Sequence, residues 1–229
     1  MGACLVWLPP VTQSPLYHAF ADGRTLYGVP NFWNVFSNVP LLLTALYGCK
    51  ALASRTAFID SWERVAYLVL LFATAGVGLG SAYYHWHPDD ERLFWDRLPM
   101  TIVFTSMVAA TIGERVSSQA GKRWLFPVIL LGCASVVDWR WSGDLRLYGL
   151  VQFGAMLALP VMIVRYPPRY THDRGAWYMG LFYLFAKVLE LFDRQIATVM
   201  ATGGHPWKHL FAAAAMFCYV DAVVRRSPR

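Results

Sequence analysis

The sequence is short of charge. Asp, Glu, Lys and Arg make up 15% of its 229 residues, where a soluble domain carries about 25%. Hydrophobic residues reach 57%, more than a water-soluble globule of this length can bury. Intrinsic disorder is excluded by the same scarcity of charge and by aromatics at 16%. Cysteine is also sparse: Cys4, Cys49, Cys133 and Cys218 lie far apart with no CxxC spacing, and read as unpaired packing residues. The opening run MGACLVWLPP has no basic residue ahead of it and stops at a double proline, so a cleaved signal peptide is not expected. No stretch alternates with period two, which argues against a membrane barrel, and no internal repeat is evident. The net charge is +6, but the basic residues form short clusters between apolar runs, so nucleic acid is not an expected partner.

What is present is a series of apolar runs, each near the length of about 20 residues that crosses a hydrocarbon core. Spans are expected at Phe32–Ala53, Trp62–Tyr84, Phe94–Gly113, Trp124–Trp139, Leu147–Val164, Gly175–Met200 and His205–Val224. The fold class is therefore all-α, a polytopic bundle of seven transmembrane helices in a lipid bilayer. Residues 1–31 form an extramembrane cap, 32–224 the membrane domain and 225–229 a basic tail. Trp33, Trp62, Trp86, Trp95, Trp124, Trp139, Trp141, Trp177 and Trp207 fall at or near span ends, as an interfacial belt requires. Twelve Lys and Arg, among them Lys50, Arg55 and Arg225, flank one side and seven the other. That bias puts the N-terminus outside and the C-terminus in the cytoplasm.

Ionisable residues inside a span are costly and are candidates for function. Ser81 and His85, in GSAYYHWHPDD, stand i, i+4 on one helical face. His205 and His209, in GGHPWKHL, repeat that spacing, and two imidazoles four apart can chelate one metal ion. Pro206 is compatible with a first helical turn. Asp96, in FWDRLPM, opens the third span. In the proposed topology all five residues lie at similar depth near the outer surface. His85, His205 and His209 then supply the three protein ligands of a catalytic zinc site. Other readings stay open at this point. Asp96 can cap its helix or pair with Arg97 or Arg92, and Ser81 can be a packing residue beside Gly76, Gly78 and Gly80. His85 and His209 can also be read as axial ligands of a b-type haem, or the chain as a receptor-like lipid binder with a structural metal. His18, His87 and His172 read as interfacial. Lys187, Glu190, Asp193 and Arg194 read as a self-neutralising network in the sixth span, or as a polar wall of a cavity. Asn34, Ser37 and Asn38 are expected to hydrogen-bond between helices.

Ser81-xxx-His85, Asp96 eleven residues on and His205-xxx-His209 at the start of the last span together resemble the alkaline ceramidase family, part of the CREST superfamily of seven-helix membrane hydrolases. FWNVFSN is similar to the family's first-helix signature. The resemblance implies Zn2+ on His85, His205 and His209, with Asp96 and Ser81 placed around the attacking water, and cleavage of the amide bond of a ceramide-like lipid into a fatty acid and a sphingoid base. Eukaryotic members carry an acidic calcium site before the first helix. Here Asn31 stands where an acidic ligand is expected and Asp22 is the one nearby upstream carboxylate, so a calcium site is doubtful. Short termini and tight loops suggest a bacterial member in the inner membrane, with its site near the periplasmic face and a lipid that need not be a common ceramide.

Overall fold

The computed structural model describes residues 9–54 and 58–229. Cys4, Arg55 and the opening apolar run to Leu8 lie outside them. The described chain is all helical: α1 (Phe32–Phe36), α2 (Val39–Ser54), α3 (Ser61–Trp86), α4 (Asp90–Arg115), α5 (Ser118–Ser142), α6 (Arg146–Arg165), α7 (Arg174–Leu191), α8 (Asp193–Ile196) and α9 (His205–Arg225). Five segments are long and apolar enough to cross a membrane: α1 with α2, then α3, α5, α6 and α9. The protein is a polytopic membrane helical bundle.

Local chemistry sets the helix ends. The Asp89 carboxylate accepts the Arg92 amide at 2.7 Å, and Asp90 and Glu91 follow in the first turn of α4, where acids complement the helix dipole. Ser117 caps α5, and Gly143 ends it in the left-handed conformation, φ 73°. With both ends capped, α5 runs for 25 residues, longer than the expected Trp124–Trp139.

The first span keeps its expected bounds, Phe32–Ala53, with a break between Phe36 and Val39 where the Ser37, Asn34 and Asn38 side chains turn inward. Two other expectations are corrected. The sixth ends at Leu191 rather than Met200, because Asp193 leaves the helix line to bind backbone amides elsewhere. Of the tryptophans, Trp62 and Trp139 are buried instead of interfacial. The Trp62 indole donates to Ser118 Oγ at 2.9 Å, and Trp139 lies beneath the Arg97 guanidinium. The remaining belt residues are exposed.

Helices α4 and α7 fall short of span criteria for different reasons. Helix α4 buries Asp96, Arg97, Thr101, Thr105, Ser106 and Thr111, while α7 has 18 residues and carries Lys187 and Glu190. The α4 polar groups face the bundle, and its hydroxyls return to the helix's own carbonyls, as from Thr105 to Thr101 at 2.6 Å.

The larger core joins α2 to α6 and α9 around Tyr67, Leu70, Leu71, Met107 and Val220. A smaller one, with Tyr84, Leu93, Val136, Trp139 and Tyr148, lies at the histidine end beneath Phe20. Residues 9–31 run across that end. Leu145 donates to the Val11 carbonyl at 2.8 Å, His18 Nδ1 meets the Tyr84 hydroxyl at 2.9 Å, and Ala21 donates to the Asp193 carboxylate at 2.9 Å. At the opposite end, buried Glu63 and Arg226 join Tyr67, Glu114 and Tyr170 in a polar knot.

Candidate metal centre

Helix α3 carries Ser81 and His85 on its inward face, both buried. Helix α9 begins at His205, with Pro206 in the first turn, and His209 follows one turn later. Gly80 and Gly204 make these positions possible. A Cβ on Gly80 would sit 2.0 Å from the Trp95 carbonyl oxygen, so only glycine lets α3 reach the backbone of α4 at Trp95 and Asp96. A Cβ on Gly204 would meet the Leu189 carbonyl oxygen at 2.2 Å.

The three imidazoles form a near-equilateral triangle. Ring centroids are 4.9 Å apart for His85–His205, 4.9 Å for His85–His209 and 5.0 Å for His205–His209. One ligand nitrogen from each lies within 4.8 Å of the others, and all three side chains are buried. His205 Nε2 and His85 Nε2 face each other at 3.3 Å. Two nitrogens on one tetrahedral zinc, each at about 2.0–2.1 Å from it, lie about 3.3 Å apart. His209 Nε2 and His85 Nδ1 are buried without a hydrogen-bond partner. Orphaned ring nitrogens of this kind need a partner. The donor set, three imidazoles and no thiolate, suits a borderline cation such as Zn2+ with an open position. The cluster can hold a metal ion.

Several neighbours fix the rings. Ser37 Oγ donates to the Asn34 carbonyl at 3.2 Å and lies 2.7 Å from His209 Nδ1. With its proton so engaged, Ser37 accepts the Nδ1–H, which leaves the lone pair of Nε2 aimed into the cluster. Asn31, left-handed at φ 48°, donates from Nδ2 to the His85 carbonyl at 2.9 Å. Asp193 Oδ1 accepts the Gly204 and His205 amides, both at 2.8 Å, and caps the turn that presents His205. Phe20 lies against His85 and His205, with centroid separations of 4.6 and 4.4 Å.

Asp96 is buried on α4, beside the buried Ser81 of α3. It is not part of the three-histidine group. The alternative partners turn elsewhere: Arg92 pairs with Asp89, and Arg97 stacks over Trp139 and Tyr148 while donating to Gln13. Helix capping falls to Asp89. His18, His87 and His172 lie outside the cluster.

The charges of the sixth span divide. Lys187 pairs with Glu190, as the spacing suggests, but Arg194 reaches the Ala19 carbonyl rather than Glu190. Lys208 of α9 takes its place, 2.6 Å from Glu190. Asp22 is held by Arg24 through a two-point contact of 2.7 and 2.9 Å, which draws its carboxyl below the usual range. Sequence reasoning missed Phe20, Lys208 and the anchoring role of Asp193. None belongs to a local pattern; the Gly-Gly pair ahead of His205 is the only hint of a backbone cap there.

An apolar cavity of about 680 Å³ begins one helical turn below the cluster. Val77 lies four residues before Ser81, Met100 four after Asp96 and Ala212 three after His209, and all three line it. Its walls continue along Met156 and Leu159 of α6 and Leu181 and Leu184 of α7, two helices that hardly touch.

The membrane bundle thus brings three buried histidines, a group that can hold a metal ion, to the head of an apolar cavity. Across residues 25–225 the chain matches the model of the Ceramidase family, and it belongs to that family. None of the curated proteins matches it significantly.

Proposed function

We propose that the protein is a zinc-dependent amide hydrolase that cleaves a ceramide-like lipid within the membrane to release a fatty acid and a sphingoid base. Family membership implies amidase activity on such lipids. The observation that carries the reading for this chain is the triangle of buried imidazoles with orphaned nitrogens, one turn above an apolar cavity. A pocket of that volume suits an acyl chain. The weak contact between α6 and α7 supports entry from the bilayer, while Phe20 and the segment around it cover the opposite approach.

His85, His205 and His209 hold the ion. Bound there, Zn2+ supplies a Lewis acid and lowers the pKa of water to about 7. The Asp96 carboxylate takes the proton of the attacking water and returns it to the departing amine. Ser81 Oγ, beside that carboxylate, donates to the negative charge developing on the amide oxygen, a role worth about 3 kcal/mol in comparable sites. Ser37 and Asp193 position His209 and His205. The bundle crosses the membrane seven times, with α4 and α7 spanning as inward-facing helices. The positive-side bias then places the N-terminus and the site at the outer, periplasmic face of a bacterial inner membrane. Residues 1–31 cap that face, 32–224 form the membrane domain and 225–229 a cytoplasmic tail.

A haem reading is disfavoured by the ring contacts, since imidazoles 4.9 Å apart with a third against them leave no gap for a planar macrocycle. A receptor-like lipid binder would saturate with lipid without turnover. We expect purified protein to contain about one zinc and to release fatty acid from a ceramide panel. His209→Ala should lose both metal and hydrolysis, as read by elemental analysis and lipid mass spectrometry. A zinc-free His209→Ala protein with full activity would overturn the proposal.

A further inference from the structure

Lys187, in the penultimate turn of α7, and Lys208, in the first turn of α9, donate to opposite oxygens of one carboxylate, Glu190. Among the described residues, Lys187 is the only charged side chain lining the apolar cavity. Lys208 immediately precedes His209, so the cluster reaches the cavity through Lys187 and the histidine helix through Lys208. Two ammonium groups share one anion here. The next acid within electrostatic range of Lys208 is Asp96, which lies beside Ser81 and makes no direct contact with either lysine. Counting Asp96, the four side chains are neutral, and any cation on the histidines makes the region positive. An ammonium has three donors, and Glu190 takes one from each lysine. Positive charge in an apolar wall is costly unless an anion pairs with it.

We infer that the Lys187–Glu190–Lys208 cluster receives a second anion, a carboxylate- or phosphate-type group at the head of a lipid whose chain lies in the cavity. Lys187 exchanges part of its contact with Glu190 for the incoming anion, while Lys208 keeps Glu190 neutralised. The group has two possible sources of the same chemistry, the carboxylate of a released fatty acid or an acidic headgroup. The inference rests on the lipid-cavity reading above but not on hydrolysis.

Three single-chain probes that carry no amide decide it: oleate, oleyl phosphate and oleyl alcohol, titrated at pH 8 into the full chain in a neutral detergent, with and without zinc. The wild type is expected to bind at least one anion about tenfold more tightly than the alcohol, the size of a charge-assisted contact. Lys187→Met should abolish that preference and leave the alcohol unchanged, whereas Lys187→Arg should keep it. Lys187→Met leaves Glu190 paired with Lys208, and gel filtration checks the fold. A stronger preference for oleate assigns the acyl product, and one for the phosphate assigns a headgroup. Equal binding of all three probes by the wild type overturns the inference, as does an unchanged preference in both Lys187→Met and Lys208→Met. Anion preference in a protein that cleaves no amide would sink the hydrolase proposal alone; cleavage without anion preference would sink only this one.

Discussion

Ser37 shows how much depends on one hydroxyl. It stands in the break between α1 and α2 and fixes the tautomer of His209 from 172 positions away in sequence. Outer-sphere partners of metal-bound histidines typically contribute tenfold to hundredfold in affinity. We expect Ser37→Ala to weaken zinc binding by about that factor, measured by competition with a chromophoric chelator, with the helix content unchanged. The histidines were legible in the sequence because helical spacing is local: HxxxH and SxxxH declare a shared face without reference to the rest of the chain. Ser37 was legible as a buried hydrogen-bonding residue, but its partner was not, since the contact exists only once α9 has docked beside α1. Phe20 and Lys208 were hidden for the same reason.

Among the elements, α3 comes close to the backbone of α4 at Gly80. Alanine there collides with the Trp95 carbonyl, a backbone atom that cannot swing aside. Gly80→Ala should therefore cost about 1–3 kcal/mol in reversible unfolding from mixed micelles, and it should separate Ser81 from Asp96, with a measurable drop in hydrolysis. Gly154→Ala on α6, where a Cβ meets nothing within 4 Å, should be neutral or slightly stabilising. Helix positions were largely readable from apolar runs, and helix ends less so. The α7 boundary was misplaced because Ile196, Val199 and Met200 prolong the apolar pattern past Asp193 and Arg194, while Asp193, drawn to the amides of Gly204 and His205, terminates the helix through tertiary contacts. Trp62 and Trp139 misled in a related way: a ring near a helix end reads as interfacial until another helix or an arginine covers it.

At the scale of the whole molecule, acids outside the membrane hold the N-terminal segment to the bundle. Asp144 accepts the Val11 and Arg146 amides and the Arg146 guanidinium, and the arginine pulls its carboxyl down to about 2. Asp22 is lowered likewise, by Arg24. A depressed folded value means the stabilisation is complete above the ordinary aspartate range, about 3.9, and is lost as pH falls through the folded value. Hydrogen exchange across residues 11–24 should thus be flat from pH 8 to 5, after correction for intrinsic rates, and rise between about pH 4 and 2. The overall architecture was accessible from composition alone, because so little charge in so apolar a chain leaves few environments besides lipid. The path of the N-terminal segment was not, since bonds such as Leu145 to Val11 and Ala21 to Asp193 join residues more than a hundred positions apart.

Asp193 fastens two things with one carboxylate: Oδ2 takes the amide of Ala21, and Oδ1 takes those of Gly204 and His205. The strap that covers the histidines and the turn that aims His205 therefore hang from one anchor, and slack in either is felt by the other.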